Sequence, residues 1–140
     1  MKILLAVDGS PYTQRIIDCM HRHPEVWNAG HLYTVFHVAM PVPPRAAAFA
    51  GPEMVKGFYA DDVKVATQPM RTFMLQQGWE ASYASRVGHP AEEIAKFAEA
   101  GKFDLVVMGS HGHGALTSAV MGSAVAKVLA RCAVPLLIVR

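Results

Sequence analysis

Short apolar runs alternate with amphipathic helical patterns along this chain, and that alternation restricts the fold more than any other feature of the sequence. Solid apolar strands between helices are typical of a parallel sheet that is covered on both faces. Because such connections are right-handed, the pattern predicts an α/β fold with an open, doubly wound, five-stranded parallel sheet and helices on both faces. The predicted strands are Ile3–Val7, Leu32–Val38, a weakly alternating Trp79–Val87, Leu105–Met108 and Leu136–Val139.

Four helical patterns separate the predicted strands, so that a βα unit is repeated four times and closed by a last strand. The first begins with Ser10 as its cap and Pro11 at its first position, where the missing N–H costs nothing, and it ends before Pro24. The others run from about residue 53 to 77, from 91 to 100, and through the apolar positions between 121 and 132.

Two segments depart from this regular alternation. Pro69 lies inside the second helical pattern and is expected to kink or divide that helix. The stretch Met40–Pro52 combines four prolines and a glycine with an alanine cluster. It is weakly defined as a helix, and we interpret it as a long surface excursion.

Composition limits the classes of protein to which the chain can belong. A length of 140 residues suits a single domain spanning residues 1–140, and 52% hydrophobic residues exclude intrinsic disorder. A net charge of +2 disfavours nucleic acid as a partner. No apolar run approaches a signal peptide or membrane span, so we expect a cytoplasmic protein that does not act at a membrane. Cys19 and Cys132 are expected to be buried, inert thiols.

In a doubly wound sheet, ligands bind beyond the carboxyl ends of the strands, where the strand order reverses. The residues to consider therefore follow the first, second and fourth strands: Asp8, then Val38–Met40, then Gly109 and the residues after it. A binding site is predicted at this edge of the sheet.

A glycine-rich segment, Gly109–Gly114, follows the fourth strand, and Gly122-Ser123 opens the next helical pattern. Backbone N–H groups in such turns, together with a helix N-terminus, favour phosphate. The segment does not match a P-loop. It does not match the dinucleotide fingerprint either, because Thr117 stands where that pattern needs a third glycine. Glycines after a strand can also be turn residues only, so the motif alone leaves both interpretations open.

Two residues separate Gly109 from Gly112, and nine separate Gly112 from Gly122. This spacing resembles that of the nucleotide-binding branch of the universal stress protein family. The resemblance extends over nearly the whole chain. It is carried by Ile3–Ser10 (ILLAVDGS), Phe36–Val38 (FHV), Val87–Pro90 (VGHP), Val106–Gly112 (VVMGSHG) and Val134–Val139 (VPLLIV).

This resemblance implies a Rossmann-like fold of the adenine nucleotide alpha hydrolase-like type that binds ATP or a related adenine nucleotide. The base would lie near the backbone of Val38, and Asp8 near the base and ribose. Mg²⁺ would be held mainly through the phosphates and water. The ribose and phosphates would be bordered or held by Gly109, His111, Gly112, His113, Gly114, Gly122, Ser123 and Ala124.

The loop departs from the commonest family pattern at two positions. Members often carry Arg or Lys where this chain has His113 and Ser118, so the nine-residue spacer contains no fixed cation. We therefore expect modest phosphate affinity that histidine protonation makes sensitive to pH.

Other kinds of site have less support. No serine lies in a nucleophile elbow, and Asp8 has no accompanying cationic finger, so slow ATP hydrolysis is the most that we expect. The histidine pairs lack nearby Cys, Asp or Glu, which disfavours a metal site, and His21 and His23 are interpreted as a solvated helix end. His37 and His89 are interpreted as packing and turn residues.

Three functions remain open. The first is a homodimeric, ATP-binding sensor or switch in the stress response, with the dimer implied by the resemblance to form through the exposed C-terminal strand. The second is a nucleotide-free protein-interaction module that uses Met40–Pro52 and the dimer face. The third is a slow ATPase.

Overall fold

The computed structural model describes residues 1–113 and 121–140, and it confirms the predicted fold. Five parallel strands form one sheet in the order β3-β2-β1-β4-β5. In chain order the elements are β1 (Lys2–Ala6), α1 (Pro11–Arg22), β2 (Leu32–Ala39), α2 (Pro44–Ala50), α3 (Pro52–Gln77), β3 (Ala81–Val87), α4 (Pro90–Ala100), β4 (Leu105–Gly109), α5 (Ser123–Arg131) and β5 (Leu136–Val139).

The central strand β1 sends alternate side chains into two separate cores. Ile3 and Leu5 pack with α1 and α3 on one face, while Leu4 and Ala6 pack with α4 and α5 on the other. Because both faces are buried after Lys2, residues 3–6 of β1 form a continuous apolar run. The helices of the two faces bring Ile16, Met20, Met70 and Phe73 to the first core and Ile94, Ala98, Val125 and Val128 to the second.

The segment after β2 was expected to be a surface excursion, and it is exposed, but residues Pro44–Ala50 form the helix α2. Pro44 occupies the first helical turn, the alanines that follow have the highest helix propensity, and Gly51 with φ of 89° ends the helix. None of its residues is buried. The prediction of four simple βα units was therefore wrong at this point, because two helices connect β2 to β3.

Pro69 does not divide α3, which runs unbroken from residue 52 to 77, so that alternative was wrong. The buried residues Ala66, Thr67, Met70 and Phe73 lie on both sides of the proline. Packing of these side chains against the sheet compensates for the hydrogen bond that Pro69 cannot donate.

The two cysteines are unpaired, and each is partly exposed rather than buried as expected. Cys132 lies at the C-terminal cap of α5, where the helix leaves the core, and not inside the helix. Packing against the second core therefore covers this thiol only in part.

A buried histidine connects α3 to the sheet by hydrogen bonds beside the carboxyl end of β1. The Nδ1–H of His37 donates to the carbonyl oxygen of Val7 at 2.8 Å, and its Nε2 shares a hydrogen bond of 2.7 Å with Asp62 of α3. His37 is only 5% exposed, so its ring nitrogens depend on these two partners. The prediction of a packing role was incomplete, since His37 also fixes the position of Asp62.

We expect Asp62→Ala to lower the free energy of unfolding by about 1–2 kcal/mol, because the Nε2 atom of His37 loses its partner in a buried place. Urea unfolding of the two proteins measures this difference. The neighbouring, exposed Asp61 provides the matched control, and Asp61→Ala is expected to leave stability unchanged. Equal losses in the two variants would contradict a specific role for the His37–Asp62 contact.

Candidate functional site

A cleft of about 1040 Å³ lies along the carboxyl edge of the sheet. Strands β1 and β4 are neighbours there, with Ala6 paired to Met108, and the chain leaves them in opposite directions. The cleft brings together nine of the ten residues predicted from the sequence: Asp8, Val38, Gly109, His111, Gly112, His113, Gly122, Ser123 and Ala124. The tenth, Gly114, lies outside the described residues, as do Thr117 and Ser118.

The turn after β1 holds Asp8 in a fixed position at the floor of the cleft. The carboxylate oxygen Oδ1 accepts from the backbone N–H of Ser10 at 2.9 Å and from the hydroxyl of Thr13 at 3.3 Å. Thr13 in turn accepts from the backbone N–H groups of Asp8 and Gly9. As predicted, Ser10 caps α1, because its side chain accepts from the N–H of Tyr12. These contacts orient Asp8 before any ligand is bound.

The loop after β4 packs directly against Asp8. A Cβ atom added at Gly112 would lie 2.6 Å from Oδ2 of Asp8, so a side chain here would displace that carboxylate. The Nε2–H of His113 donates to the backbone oxygen of Asp8 at 2.6 Å. His111 lies beside the ring of Tyr12, with 5.3 Å between centroids. The two segments that follow β1 and β4 therefore form one continuous wall.

Gly122 brings the start of α5 against the same loop. Its N–H donates to the carbonyl oxygen of Ser110 at 2.8 Å, and a Cβ atom here would lie 2.6 Å from that oxygen. A larger residue would displace the loop whether or not a ligand binds. Substitution of Gly122 is consequently a poor test of binding, because it also disturbs the backbone.

The N-terminus of α5 opens into the cleft. Gly122 occupies the capping position and has no side chain to satisfy the first N–H groups of the helix. Ser123 and Ala124 form its first turn, and both line the cleft. No described side chain caps these N–H groups, and together with the positive end of the helix dipole they make this a place suited to an anion.

The opposite end of the cleft is more apolar. Val38 and Met40, at and just beyond the end of β2, face Phe58 of α3 across the opening. Asp62 lies one helical turn beyond Phe58 and carries the only carboxylate that the described residues place at this end. An aromatic ring system fits such a surface, since it buries its faces and hydrogen-bonds at its edges.

Sequence reasoning missed four charged residues that line the cleft: Asp62 on α3, Glu92 on α4, and Lys127 and Arg131 on α5. The two cations lie beyond the spacer between Gly112 and Gly122, within α5. The signal that could have found the two cations is their spacing, since residues 123, 127 and 131 fall on one face of a helix.

The start of α4 forms the remaining wall, with His89 and Glu92 lining the cleft. The Lys96 ammonium, 2.9 Å from Glu92, lowers the pKa of that carboxyl below its ordinary value, and Arg131 and His89 lower it further. Glu92 is therefore an ionised carboxylate that already has a cationic partner.

Within residues 1–113 and 121–140, no three His, Cys, Asp or Glu side chains lie close enough together to hold a metal ion. Nor does that part of the chain contain a helix both long enough and apolar enough to cross a membrane.

Several known proteins resemble this chain in sequence or in structure. The model of the universal stress protein family matches residues 1–140. The "Universal stress protein in QAH/OAS sulfhydrylase 3'region" of Thermus aquaticus is 32% identical over 145 residues, which cover 99% of this chain and 97% of that protein. Universal stress protein Slr1230 of a Synechocystis strain is 36% identical over 63 residues, so the match covers 45% of this chain and only 22% of that relative.

Solved structures show the same fold. Protein MJ0577 of Methanocaldococcus jannaschii superposes with a TM-score of 0.76 at 24% identity, covering 99% of this chain and 94% of that one. The universal stress protein of Archaeoglobus fulgidus in complex with dAMP has a TM-score of 0.69 at 19% identity, with 100% and 98% covered. A family protein of Arabidopsis thaliana with AMP bound has a TM-score of 0.69 at 14% identity, with 99% and 90% covered.

This chain belongs to the universal stress protein family.

Proposed function

We propose that this protein binds an adenine nucleotide, with ATP as the expected form, in the cleft at the carboxyl edge of the sheet. In this proposal it acts as a dimeric sensor or switch in the stress response. The observation that carries the proposal is that one cleft joins an apolar end to the open N-terminus of α5. Structural neighbours crystallised with AMP and dAMP support the same ligand class.

The two ends of the cleft suit the two ends of a nucleotide. The apolar surface of Val38, Met40 and Phe58 would receive the base, while the first turn of α5 at Ser123 would receive the phosphates. Asp8 lies between them, held by its own turn, where it can accept hydrogen bonds from ribose hydroxyls. Mg²⁺ would be bound chiefly by phosphate oxygens and water.

Replacement of Ser123 tests the phosphate position without disturbing the backbone, because this side chain is exposed. Ser123→Asp places a carboxylate at the first turn of α5, which is favourable for the helix but repels phosphate. We expect ATP affinity to fall by about a hundredfold or more. Isothermal titration with ATP and Mg²⁺ measures the loss, and the thermal midpoint of unfolding should be unchanged or slightly raised.

Ser123→Asn is the matched control, since the amide has nearly the same shape as the Asp side chain without its charge. It is expected to keep most of the ATP affinity. If the Asp and Asn variants bind ATP equally well, the phosphates do not lie at the start of α5.

We also propose that two copies pair through β5, which is an edge strand of the sheet. The carbonyl oxygen of Pro135 accepts from Val106 of β4, and that of Val139 accepts from Ser110 just after β4. The backbone groups of Ile138 point the other way, towards the open edge. A second β5 strand could complete these hydrogen bonds and cover the edge.

Ile138→Pro removes the outward N–H while leaving the hydrogen bonds between β5 and β4 in place. We expect this variant to be a folded monomer at concentrations where the wild-type protein is a dimer, as measured by light scattering coupled to gel filtration. Ile138→Ala loses the same packing but keeps the N–H, and it should remain dimeric. A dimeric proline variant would place the interface elsewhere.

The second candidate function is a nucleotide-free interaction module. The observation that favours it is the exposed apolar surface of α2 and the start of α3, where Phe49 is 96% and Met54 67% exposed. Under this alternative, isothermal titration of the wild-type protein with ATP or AMP shows no saturable binding. The glycines of the cleft then serve backbone packing alone. The titration described above separates the two functions.

A further inference from the structure

The cleft extends past the predicted phosphate residues into a groove between α4 and α5. Lys127 and Arg131 line this extension on α5, and His89 and Glu92 line it on α4. Lys127 lies four residues beyond Ser123, or about 6 Å along the helix axis, and Arg131 lies a further turn away. The three side chains therefore form a row along one face of α5.

The charges of this groove favour an anion. Neither Lys127 nor Arg131 forms an ion pair with another residue in the described part of the chain. The carboxylate facing them, Glu92, is engaged by Lys96 at 2.9 Å. His89 is the other polar side chain of this wall. Among the described residues, the groove thus has two basic side chains without a direct ion pair, of which Arg131 interacts with Glu92 at longer range.

The direction of helical side chains brings Lys127 towards the start of α5. Every Cα–Cβ bond in a helix tilts towards the N-terminus, so the stem of Lys127 leans over the turn that contains Ser123. A lysine stem of four carbons gives its ammonium a wide range of positions in this region. Lys127 can therefore accompany the N–H groups of the first turn in holding one extended anion.

We propose that the α4–α5 groove is a subsite for the distal phosphates of a nucleoside triphosphate, and that Lys127 makes the protein prefer tri- over monophosphates. This inference rests on the proposed nucleotide binding and names which nucleotide the site selects. The spacer between Gly112 and Gly122 contains no lysine or arginine. In this chain α5 supplies the cation instead, and Arg131 extends the positive surface to the outer end of the groove.

The test compares the affinities for ATP, ADP and AMP, measured by isothermal titration of the full chain with Mg²⁺ present. The wild-type protein should bind ATP more tightly than AMP. Lys127→Gln should weaken ATP binding by about tenfold or more, since a charge-assisted contact is lost, and leave AMP binding unchanged. Lys127→Arg keeps the charge and should restore most of the preference for ATP.

Lys64→Gln provides the matched control, because Lys64 is exposed on α3 away from the cleft and its loss changes net charge equally. It should leave all three affinities unchanged. The inference is overturned, with nucleotide binding intact, if the wild-type protein binds ATP and AMP equally or if Lys127→Gln weakens both alike. If none of the three nucleotides binds the wild-type protein, the proposed function fails together with this inference.

Discussion

The contact between the turn after β1 and the loop after β4 is the constraint on which the candidate site depends. Two neighbouring parallel strands end together, and the chain leaves them towards opposite faces of the sheet. Without a further contact, the two segments would diverge and leave an open notch. Gly112 lies against the Asp8 carboxylate, and His113 donates to the Asp8 backbone oxygen, so the segments meet and the notch becomes a walled cleft. The position of α5 follows, because Gly122 bonds to the same loop.

Much of the fold could be predicted from the sequence because burial on both faces leaves a direct trace in β1 and β4, whose residues are continuously apolar. The errors occur where local sequence and tertiary packing disagree. An exposed alanine run such as α2 forms a helix through propensity alone, although the prolines around it indicate a loop. Pro69 indicates a break, yet buried neighbours on both sides keep α3 continuous. Neither outcome can be obtained from periodicity, because α2 depends on the helix propensity of its alanines and the continuity of α3 depends on what it packs against.

The candidate site was predictable to the extent that topology determines it. Residues after β1, β2 and β4 must share one edge of the sheet, and nine of the ten predicted residues line one cleft there. Asp62 and Lys127 could not be found in this way, because each lies within a helix and enters the site through the face that its helix presents. That orientation is set by packing: His37 fixes Asp62, and the buried residues Val125 and Val128 fix the rotation of α5.

The glycines of the loop show why a structural and a functional interpretation need not compete. The absence of a side chain at Gly112 and Gly122 lets two backbone segments approach, and the same absence leaves N–H groups of the α5 start accessible to an anion. A glycine substitution changes packing and binding together, so its effect cannot be assigned to either. Substitutions of exposed side chains that border the same N–H groups separate packing from binding, since the charge changes while the backbone stays in place. Ser123 and Lys127 are such positions, so changes of charge there test the proposed ligand without moving the backbone.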